Sequence, residues 1–171
     1  MNQLERFQPI KTFIFDVDGV LTNSHVLVLE DGRLLRQMSV RDGYAIKRAI
    51  QQGYRICVIT GGSSEGVKKR LQGLGVRDVY LGQQDKIEAY EEYMDAYEID
   101  PDTVLYMGDD LPDYPVMRKV GLPTCPKNAA PEVLALAKYI SPYEGGSGCA
   151  RDVIEKVMRL HGTWTDEEEE D

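Results

Sequence analysis

The sequence has few cysteines, no long apolar run and no excess of basic charge. Its three cysteines, Cys57, Cys125 and Cys149, are an odd number, lie far apart and include no Cys-x-x-Cys spacing. They predict neither a disulfide framework nor a zinc site, and they fit a reducing compartment. No window approaches the length of a membrane span, and residues 1–11 lack the features of a signal peptide. We therefore expect a cytoplasmic protein without a membrane partner.

Basic residues are outnumbered, with 20 Lys and Arg against 29 Asp and Glu. The last six residues, 166–171, are all acidic, so the rest of the chain is only mildly acidic. Without a basic stripe we expect no nucleic-acid partner, and we expect the acidic run to be solvated and disordered. The 171 residues suit one domain. We place that domain at residues 1–163 and an acidic tail at residues 164–171.

An apolar run at residues 13–15 stops at two carboxylates, Asp16 and Asp18. A run without polar alternation is typical of a central strand that is covered on both faces, and ligands bind at the carboxyl end of such a strand. Two carboxylates at this spacing can face one pocket, where they repel each other unless a cation lies between them. Hard oxygen ligands of this kind favour Mg²⁺, so the pattern indicates a metal and a phosphate.

After this strand the sequence predicts a hairpin and then a regular alternation of strands and helices. The hairpin spans about residues 24–40, with two apolar runs around the turn Asp31-Gly32. The later apolar runs and helix signals predict strands at 55–60, 78–81, 103–108, 122–125 and 138–141, and helices at 42–52, 63–74, 85–97, 112–120, 131–137 and 150–160. This alternation indicates an α/β fold, a Rossmann-like parallel sheet flanked by helices.

Four polar groups fall at predicted strand ends or helix starts, and we expect them to meet in one crevice. They are Asp16 with Asp18, Thr60 with Gly61 and Gly62, Lys86, and Asp109 with Asp110 and Asp113. Simpler interpretations exist for most of them, since Thr60 with Gly61 could only cap a helix. Lys86 could be solvated, and Asp110 and Asp113 could be ordinary acids at a helix N-terminus. Two acids at a buried strand end lack such an explanation, because they cost stability unless they are used.

Over about residues 10–160 the chain resembles the haloacid dehalogenase superfamily of phosphatases, whose four motifs are present here in order. The resemblance implies that Asp16 attacks phosphorus and forms an aspartyl-phosphate, while Asp18 is the acid and base. It implies that Thr60 and the neighbouring glycines, Gly61 and Gly62, bind the phosphate, and that Lys86 balances negative charge.

The same resemblance implies a Mg²⁺ cofactor. The ion would be held by the Asp16 side chain, the Asp18 main-chain oxygen and Asp109. Asp110 and Asp113 would lie behind these ligands or bind the ion directly.

The spacings leave no room for a large cap domain, either after the first strand or between Thr60 and Lys86. The predicted hairpin is also more apolar than a free two-stranded ribbon tolerates, so we expect neighbouring subunits to bury it. The motifs at residues 40–44, 107–114 and 145–148 resemble the capless, tetrameric branch that acts on 3-deoxy-D-manno-octulosonate 8-phosphate. The branch implies a homotetramer, a sugar-acid phosphate substrate with Arg41 and Arg151 as contacts, and a carboxy-terminal segment that the glycines at 145–148 would let fold over a neighbouring site.

Alternatives remain at this stage. The branch often carries arginine where this chain has Gly62 and Ser147, which leaves open a nine-carbon 3-deoxy sugar acid 9-phosphate as the substrate. A phosphomutase usually needs a mobile cap, which the spacings do not allow. A non-catalytic oligomerisation module would not need Asp16, Asp18, Lys86 and Asp109 together.

Overall fold

The structure, a computed structural model, describes residues 2–166. Its strands are β1 (Thr12–Phe15), β2 (Leu27–Val28), β3 (Leu34–Leu35), β4 (Arg55–Ile59), β5 (Asp78–Tyr80), β6 (Val104–Met107), β7 (Leu122–Cys125) and β8 (Tyr139–Ile140). Its helices are α1 (Gln3–Phe7), α2 (Val40–Gln51), α3 (Glu65–Gly73), α4 (Lys86–Tyr97), α5 (Tyr114–Met117), α6 (Pro131–Leu136) and α7 (Cys149–His161). Within the described part of the chain, none of these helices has the length and apolar character needed to cross a bilayer.

Six of the strands form one parallel sheet in the order β5-β4-β1-β6-β7-β8. This confirms the predicted α/β architecture. The chain leaves β1 to build one side of the sheet through β4 and β5, and then returns to build the other side from β6. The strand order therefore reverses at β1, and ligands of such sheets bind in the crevice at that point, beyond the carboxyl ends of the strands.

Helices cover both faces of the sheet because the side chains of β1 alternate between two apolar clusters. Phe13 and Phe15 pack on the cluster beneath α1, α2, α3 and α7, whereas Ile14 packs on the cluster beneath α4, α5 and α6. All three side chains are fully buried. Each contributes about 1.5–3 kcal/mol through burial, so β1 is a rigid support for the residues that follow it.

Most predicted elements lie within two residues of their observed bounds. The prediction for residues 112–120 was too long, because a tight turn at Leu111–Asp113 precedes α5 and the chain leaves the helix after Met117 to enter β7. The predicted hairpin is present, but its strands are shorter than the predicted apolar runs. Only the two residues of β2 and the two of β3 pair, with Leu27 opposite Leu35. The hairpin is the main insertion between β1 and α2, and no large cap is inserted anywhere between residues 2 and 166.

The glycine-rich loop before α7 is packed tightly against the turn that follows β1. The Gly146 amide donates a hydrogen bond to the Val20 carbonyl at 2.9 Å, and a Cβ on Gly145 would lie 2.0 Å from the Gly19 carbonyl oxygen. Helix α7 then packs on α2, and its apolar side is buried in the core. Helix α7 thus completes the core of its own chain. That the carboxy-terminal segment folds over a neighbouring site stays a prediction.

The first residues of the predicted acidic tail also pack on the body. Trp164 is 7% exposed and meets the Tyr44 ring edge-on, with 6.0 Å between centroids. The Asp166 carboxylate accepts a hydrogen bond from Arg48 at 2.7 Å. Ordered packing thus extends past residue 163, where we had placed the end of the domain. The remaining tail, residues 167–171, lies outside the described residues.

Asp42 is a buried carboxylate that joins α2 to α7. One of its oxygens accepts the Arg151 backbone N–H at 3.1 Å, in the first turn of α7, and the other has no partner among the described residues. Burial raises the pKa of Asp42 from 3.8 to about 6, against the opposing effects of the Arg151 N–H and the Arg151 charge. Asp42 therefore accepts a hydrogen bond from the first turn of α7, but its ionised form is destabilised by burial.

We predict that Gly19→Ala destabilises the fold far more than Gly32→Ala. Both glycines have a positive φ, +89° and +87°, so alanine costs about 1–2 kcal/mol at either position. Only at Gly19 would the new Cβ collide, 1.8 Å from an Asp109 carboxylate oxygen, whereas nothing lies within 4 Å at Gly32. Denaturant unfolding should show a further loss of at least about 2 kcal/mol for Gly19→Ala. Equal losses for the two variants would contradict this packing.

We predict that Asp42→Asn reduces the pH dependence of stability. Between pH 3.8 and about 6 the folded protein keeps a proton on Asp42 that the unfolded chain has released, so this group makes stability fall as pH rises. From pH 4 to 7 the variant should gain on the order of 2 kcal/mol relative to the wild type. The exposed Asp95→Asn on α4 is the control, and a parallel pH profile for all three proteins would contradict the prediction.

Candidate active site

All four predicted polar groups line one cavity of about 520 Å³ at the carboxyl edge of the sheet. β1 supplies Asp16 and Asp18, β4 supplies Thr60, and β6 supplies Asp109, while Lys86 is the first residue of α4. The lining residues are Asp16, Asp18, Ser24, Thr60, Gly61, Gly62, Gln83, Gln84, Lys86, Asp109, Asp110, Pro112 and Asp113. The structure thus brings together residues that are up to 97 positions apart in sequence, between Asp16 and Asp113.

Lys86 is buried at the base of the cavity between two carboxylates. Its Nζ lies 2.9 Å from Asp16 Oδ1 and 2.8 Å from Asp113 Oδ1, and the residue is 4% exposed. Burial alone lowers the pKa of Lys86, but the charges of Asp16 and Asp113 and their hydrogen bonds outweigh it and hold the pKa above its usual value. Lys86 is therefore a fixed positive charge rather than a solvated surface lysine.

Asp113 holds the other groups in place. Its Oδ1 accepts from Lys86 and from the Tyr106 hydroxyl at 2.5 Å. Its Oδ2 accepts the backbone N–H groups of Asp109 at 3.0 Å and Asp110 at 3.3 Å. Four donors thus satisfy a fully buried carboxylate, which fixes both the ammonium and the loop that carries Asp109.

Asp16, Asp109 and Asp113 each offer an oxygen atom, and these three atoms lie within 4.8 Å of one another. Burial, followed by the charge of Asp113, raises the pKa of Asp16 well above its usual range and that of Asp109 to about 6. A divalent cation would relieve this repulsion, and carboxylate oxygens are the ligands that Mg²⁺ prefers. Because Asp113 already accepts four hydrogen bonds, Asp16 and Asp109 have more capacity left to bind an ion.

Asp110 and the side chain of Asp18 lie outside this group of three carboxylates. Asp110 is exposed, and its carboxylate accepts the N–H of Leu111 at 2.8 Å, as the cap of the turn Leu111–Asp113. The Asp18 carboxylate instead pairs with Arg36. Asp110 therefore has the simpler role of a helix-start acid, and from Asp18 only the main-chain oxygen is left as a metal ligand.

Thr60 and the two glycines after it form the opposite wall of the cavity. Thr60 Oγ1 accepts the Gly62 N–H at 3.1 Å, which leaves the hydroxyl proton for another acceptor. The loop after β5 is held against this wall, because Gln83 N–H donates to the Thr60 carbonyl and Gly82 N–H to the Gly62 carbonyl. This wall thus presents the Thr60 hydroxyl as a hydrogen-bond donor. The glycines beside it have no side chains, so a phosphate can approach their backbone.

Arg36, at the end of β3, is a site residue that our sequence analysis missed. Its guanidinium contacts both oxygens of Asp18, with Nε 2.6 Å from Oδ1 and Nη2 3.2 Å from Oδ2. A Cβ on Gly62 would lie only 3.2 Å from this Nη2, so the absence of a side chain at Gly62 makes room for the guanidinium. The sequence gives no local signal for Arg36, because nothing in the hairpin fixes where it folds.

Three further lining residues were also missed. Gln83 and Gln84 follow β5 at the same edge of the sheet as the other groups, and that position was a signal we could have used. Ser24 has a φ of +71°, which is uncommon for a residue other than glycine. Its backbone follows the turn after β1, so the side chain reaches the cavity from the start of the hairpin.

The two predicted sugar contacts, Arg41 and Arg151, do not line the cavity within one chain. Arg41 is exposed in the first turn of α2. Arg151 lies over the rings of Trp164 and Tyr44, at 5.2 Å and 5.7 Å from their centroids, and its backbone N–H bonds Asp42. Arg151 is thus part of the packing between α2, α7 and Trp164, and its contact with a sugar acid stays a prediction.

Comparisons with known proteins agree with this geometry. The sequence model of the haloacid dehalogenase-like hydrolase family matches residues 77–151. The 3-deoxy-D-manno-octulosonate 8-phosphate phosphatase KdsC of Escherichia coli K12 is 35% identical over 159 residues, which are 93% of this chain and 85% of that protein.

Two solved structures show the same fold. The phosphatase of this name from Yersinia pestis superposes with a TM-score of 0.91 at 34% identity, covering 94% of this chain and 86% of that one. The one from Moraxella catarrhalis, in complex with magnesium, phosphate and a KDO molecule, gives a TM-score of 0.88 at 30% identity and covers 92% and 90%. With its four motifs assembled around one cavity, the chain belongs to the haloacid dehalogenase-like hydrolase family, among the relatives of KdsC.

Proposed function

We propose that this protein is a Mg²⁺-dependent phosphomonoesterase that hydrolyses 3-deoxy-D-manno-octulosonate 8-phosphate through an aspartyl-phosphate. The observation that carries the proposal is the buried ammonium of Lys86, bonded to Asp16 on one side and to Asp113 on the other. It orients the Asp16 carboxylate and favours its ionised form at the floor of the cavity. The walls of that cavity carry a hydroxyl donor and a second carboxylate, Asp18.

The reaction follows from the positions of these groups. Lys86 and the Val17 N–H, which donates at 2.7 Å, both bond Asp16 Oδ1. Oδ2 is the oxygen left to attack phosphorus. Asp18 donates a proton to the leaving alkoxide, so that the P–O ester bond breaks as the Asp16–phosphorus bond forms. Asp18 then takes a proton from the water that attacks the acyl phosphate, which releases phosphate and regenerates Asp16.

Other residues of the chain bind the phosphoryl group during both steps. The Thr60 hydroxyl and the Gly61 segment bind its oxygens, while the charge of Lys86 offsets the charge on Asp16. When bound, Mg²⁺ would neutralise the phosphoryl oxygens and the carboxylates that hold it. The Asp16 and Asp109 side chains and the Asp18 main-chain oxygen would be its protein ligands, with Asp113 orienting Asp109.

The substrate assignment is supported by the relatives. They are named for this substrate, and they align with more than 90% of the present chain. The Moraxella catarrhalis structure combines the metal, the phosphate and the sugar acid in one complex. A nine-carbon 3-deoxy sugar acid 9-phosphate requires the same phosphate chemistry, so it is the comparison substrate for any assay.

We also propose that the enzyme is a cytoplasmic homotetramer in which the hairpins of neighbouring chains pack together. Four leucine and valine side chains on β2 and β3, Leu27, Val28, Leu34 and Leu35, are between 45% and 65% exposed. A two-stranded ribbon with such a surface is marginally stable alone. Burying it against another chain would also restrict access to the cavity, over which residues 2–166 place no cap domain.

We predict that Asp16→Asn and Asp18→Asn each lower turnover by several orders of magnitude, with the fold intact by circular dichroism. Asp109→Asn should abolish activation by Mg²⁺, whereas Asp110→Asn, whose carboxylate caps a turn, should retain activity within about tenfold. The assay is phosphate release from 3-deoxy-D-manno-octulosonate 8-phosphate with and without Mg²⁺. Undiminished turnover of Asp16→Asn would overturn the mechanism. Preference for the nine-carbon substrate would keep the mechanism and change the assigned substrate.

We predict that the double variant Leu27→Asp, Leu34→Asp is monomeric, because charges on the hairpin would be desolvated in any hairpin-mediated contact. Light scattering during gel filtration measures the mass directly. Leu4→Asp is the matched control, since Leu4 is 62% exposed on α1, away from the hairpin. A wild-type monomer, or a double variant with the wild-type mass, would contradict hairpin-mediated assembly.

A further inference from the structure

Arg36 is a buried cation that the proposed reaction does not use. Leu35, its neighbour on β3, is 47% exposed, yet the Arg36 side chain is only 9% exposed. The difference arises because the side chain leaves the hairpin surface and points to Asp18. The burial of a charged side chain on an otherwise exposed ribbon requires a favourable contact, and Asp18 provides it.

The guanidinium uses only one of its two edges to bind Asp18. Nε and Nη2 donate to the two carboxylate oxygens at 2.6 Å and 3.2 Å. Of its five N–H donors, those remaining on Nη1 and Nη2 bond no acceptor among residues 2–166. A planar guanidinium can bind a second carboxylate through this free edge while it keeps the first.

Arg36 lies between two cavities. The first is the cavity of about 520 Å³ that contains Asp16 and Asp18, called the phosphate cavity below. The second cavity has a volume of about 320 Å³, and its lining includes Arg36, Ser64, Val67 and the leucines of β3. Asp18, as the residue that protonates the leaving oxygen, marks the direction in which the rest of the substrate extends from phosphorus. A substrate bound at Asp16 therefore extends past Asp18 toward the free edge of Arg36.

The charges in the phosphate cavity show why a further cation is needed. Its lining has five carboxylates, Asp16, Asp18, Asp109, Asp110 and Asp113, against one ammonium, that of Lys86. The divalent ion of the proposed function would offset part of this excess and still leave the carboxylates in the majority. Lys86 is already bonded on both sides. An organic anion next to the phosphate ester would be repelled by this lining, unless a cation on the leaving-group side attracts it.

We propose that Arg36 determines substrate specificity by binding the carboxylate of a sugar-acid phosphate through its free Nη edge. Its other edge keeps Asp18 turned toward the leaving oxygen. The inference rests on the proposed function and extends it, because it assigns recognition of the leaving group to a residue of the hairpin.

The test compares kcat/KM for two substrates in Arg36→Ala, Arg36→Lys and wild-type protein. 3-Deoxy-D-manno-octulosonate 8-phosphate and glucose 6-phosphate both release a primary alkoxide, so Asp18 has the same task with each, but only the first carries a carboxylate. For Arg36→Ala, kcat/KM for the sugar-acid phosphate should fall about 10- to 100-fold more than for glucose 6-phosphate, mainly through KM. Inhibition by the free sugar acid should weaken by a similar factor.

Two further variants complete the design. Arg36→Lys keeps the charge without the fork, so it should recover part of the loss. Arg33→Ala removes an exposed arginine of the same hairpin that pairs with Asp31, and it should leave both substrates and the inhibition constant unchanged. Circular dichroism and gel filtration establish that each variant folds and assembles as the wild type does.

Several results would overturn the inference. An equal fall for both substrates with unchanged inhibition by the sugar acid would mean that Arg36 acts only through Asp18. Wild-type values for Arg36→Ala would mean that Arg36 has no part in binding. If the wild type itself released no phosphate from the sugar-acid substrate in Mg²⁺, the proposed function would fail and this inference with it.

Discussion

The site depends on one buried ion pair, in which the ammonium of Lys86 bridges Asp16 and Asp113. Three carboxylates close enough to share a cation cannot all ionise in a buried position without compensation. Lys86 supplies one positive charge, and the backbone N–H groups that donate to Asp113 supply partial positive charges. The negative charge that remains in excess can be neutralised by a divalent ion. This excess of negative charge favours a bound metal ion, and the contact with Lys86 orients the Asp16 carboxylate.

The fold provides the rigidity that this arrangement requires. Asp16 follows β1, which is paired on both sides and buried on both faces, and Asp109 follows the neighbouring β6. Beside Asp16, Gly145 lets the glycine-rich loop contact the backbone of the turn after β1, and Gly19 leaves room for the Asp109 carboxylate. The hairpin, an exposed element, contributes Arg36, whose guanidinium contacts the Asp18 carboxylate at the edge of the cavity.

The sequence predicted the sheet and the convergence of the polar groups on one cavity well, and it predicted the surroundings of those groups poorly. Asp16, Thr60, Lys86 and Asp109 are found by strand ends and motif order, which are local features. Arg36 could not be found this way, because its contact with Asp18 depends on how the hairpin folds back over 18 residues. The place of Arg151 over Trp164 was not predicted for a related reason, since it depends on how the chain returns after α7.

The proposed reaction requires that the Asp16 carboxylate becomes covalently phosphorylated. Rapid acid quenching during turnover, borohydride reduction and peptide mass spectrometry test this directly, because reduction converts an aspartyl-phosphate to homoserine. The account predicts homoserine at position 16, dependent on Mg²⁺ and substrate. Its appearance at another aspartate, or its absence at position 16 while phosphate is released, would contradict the account.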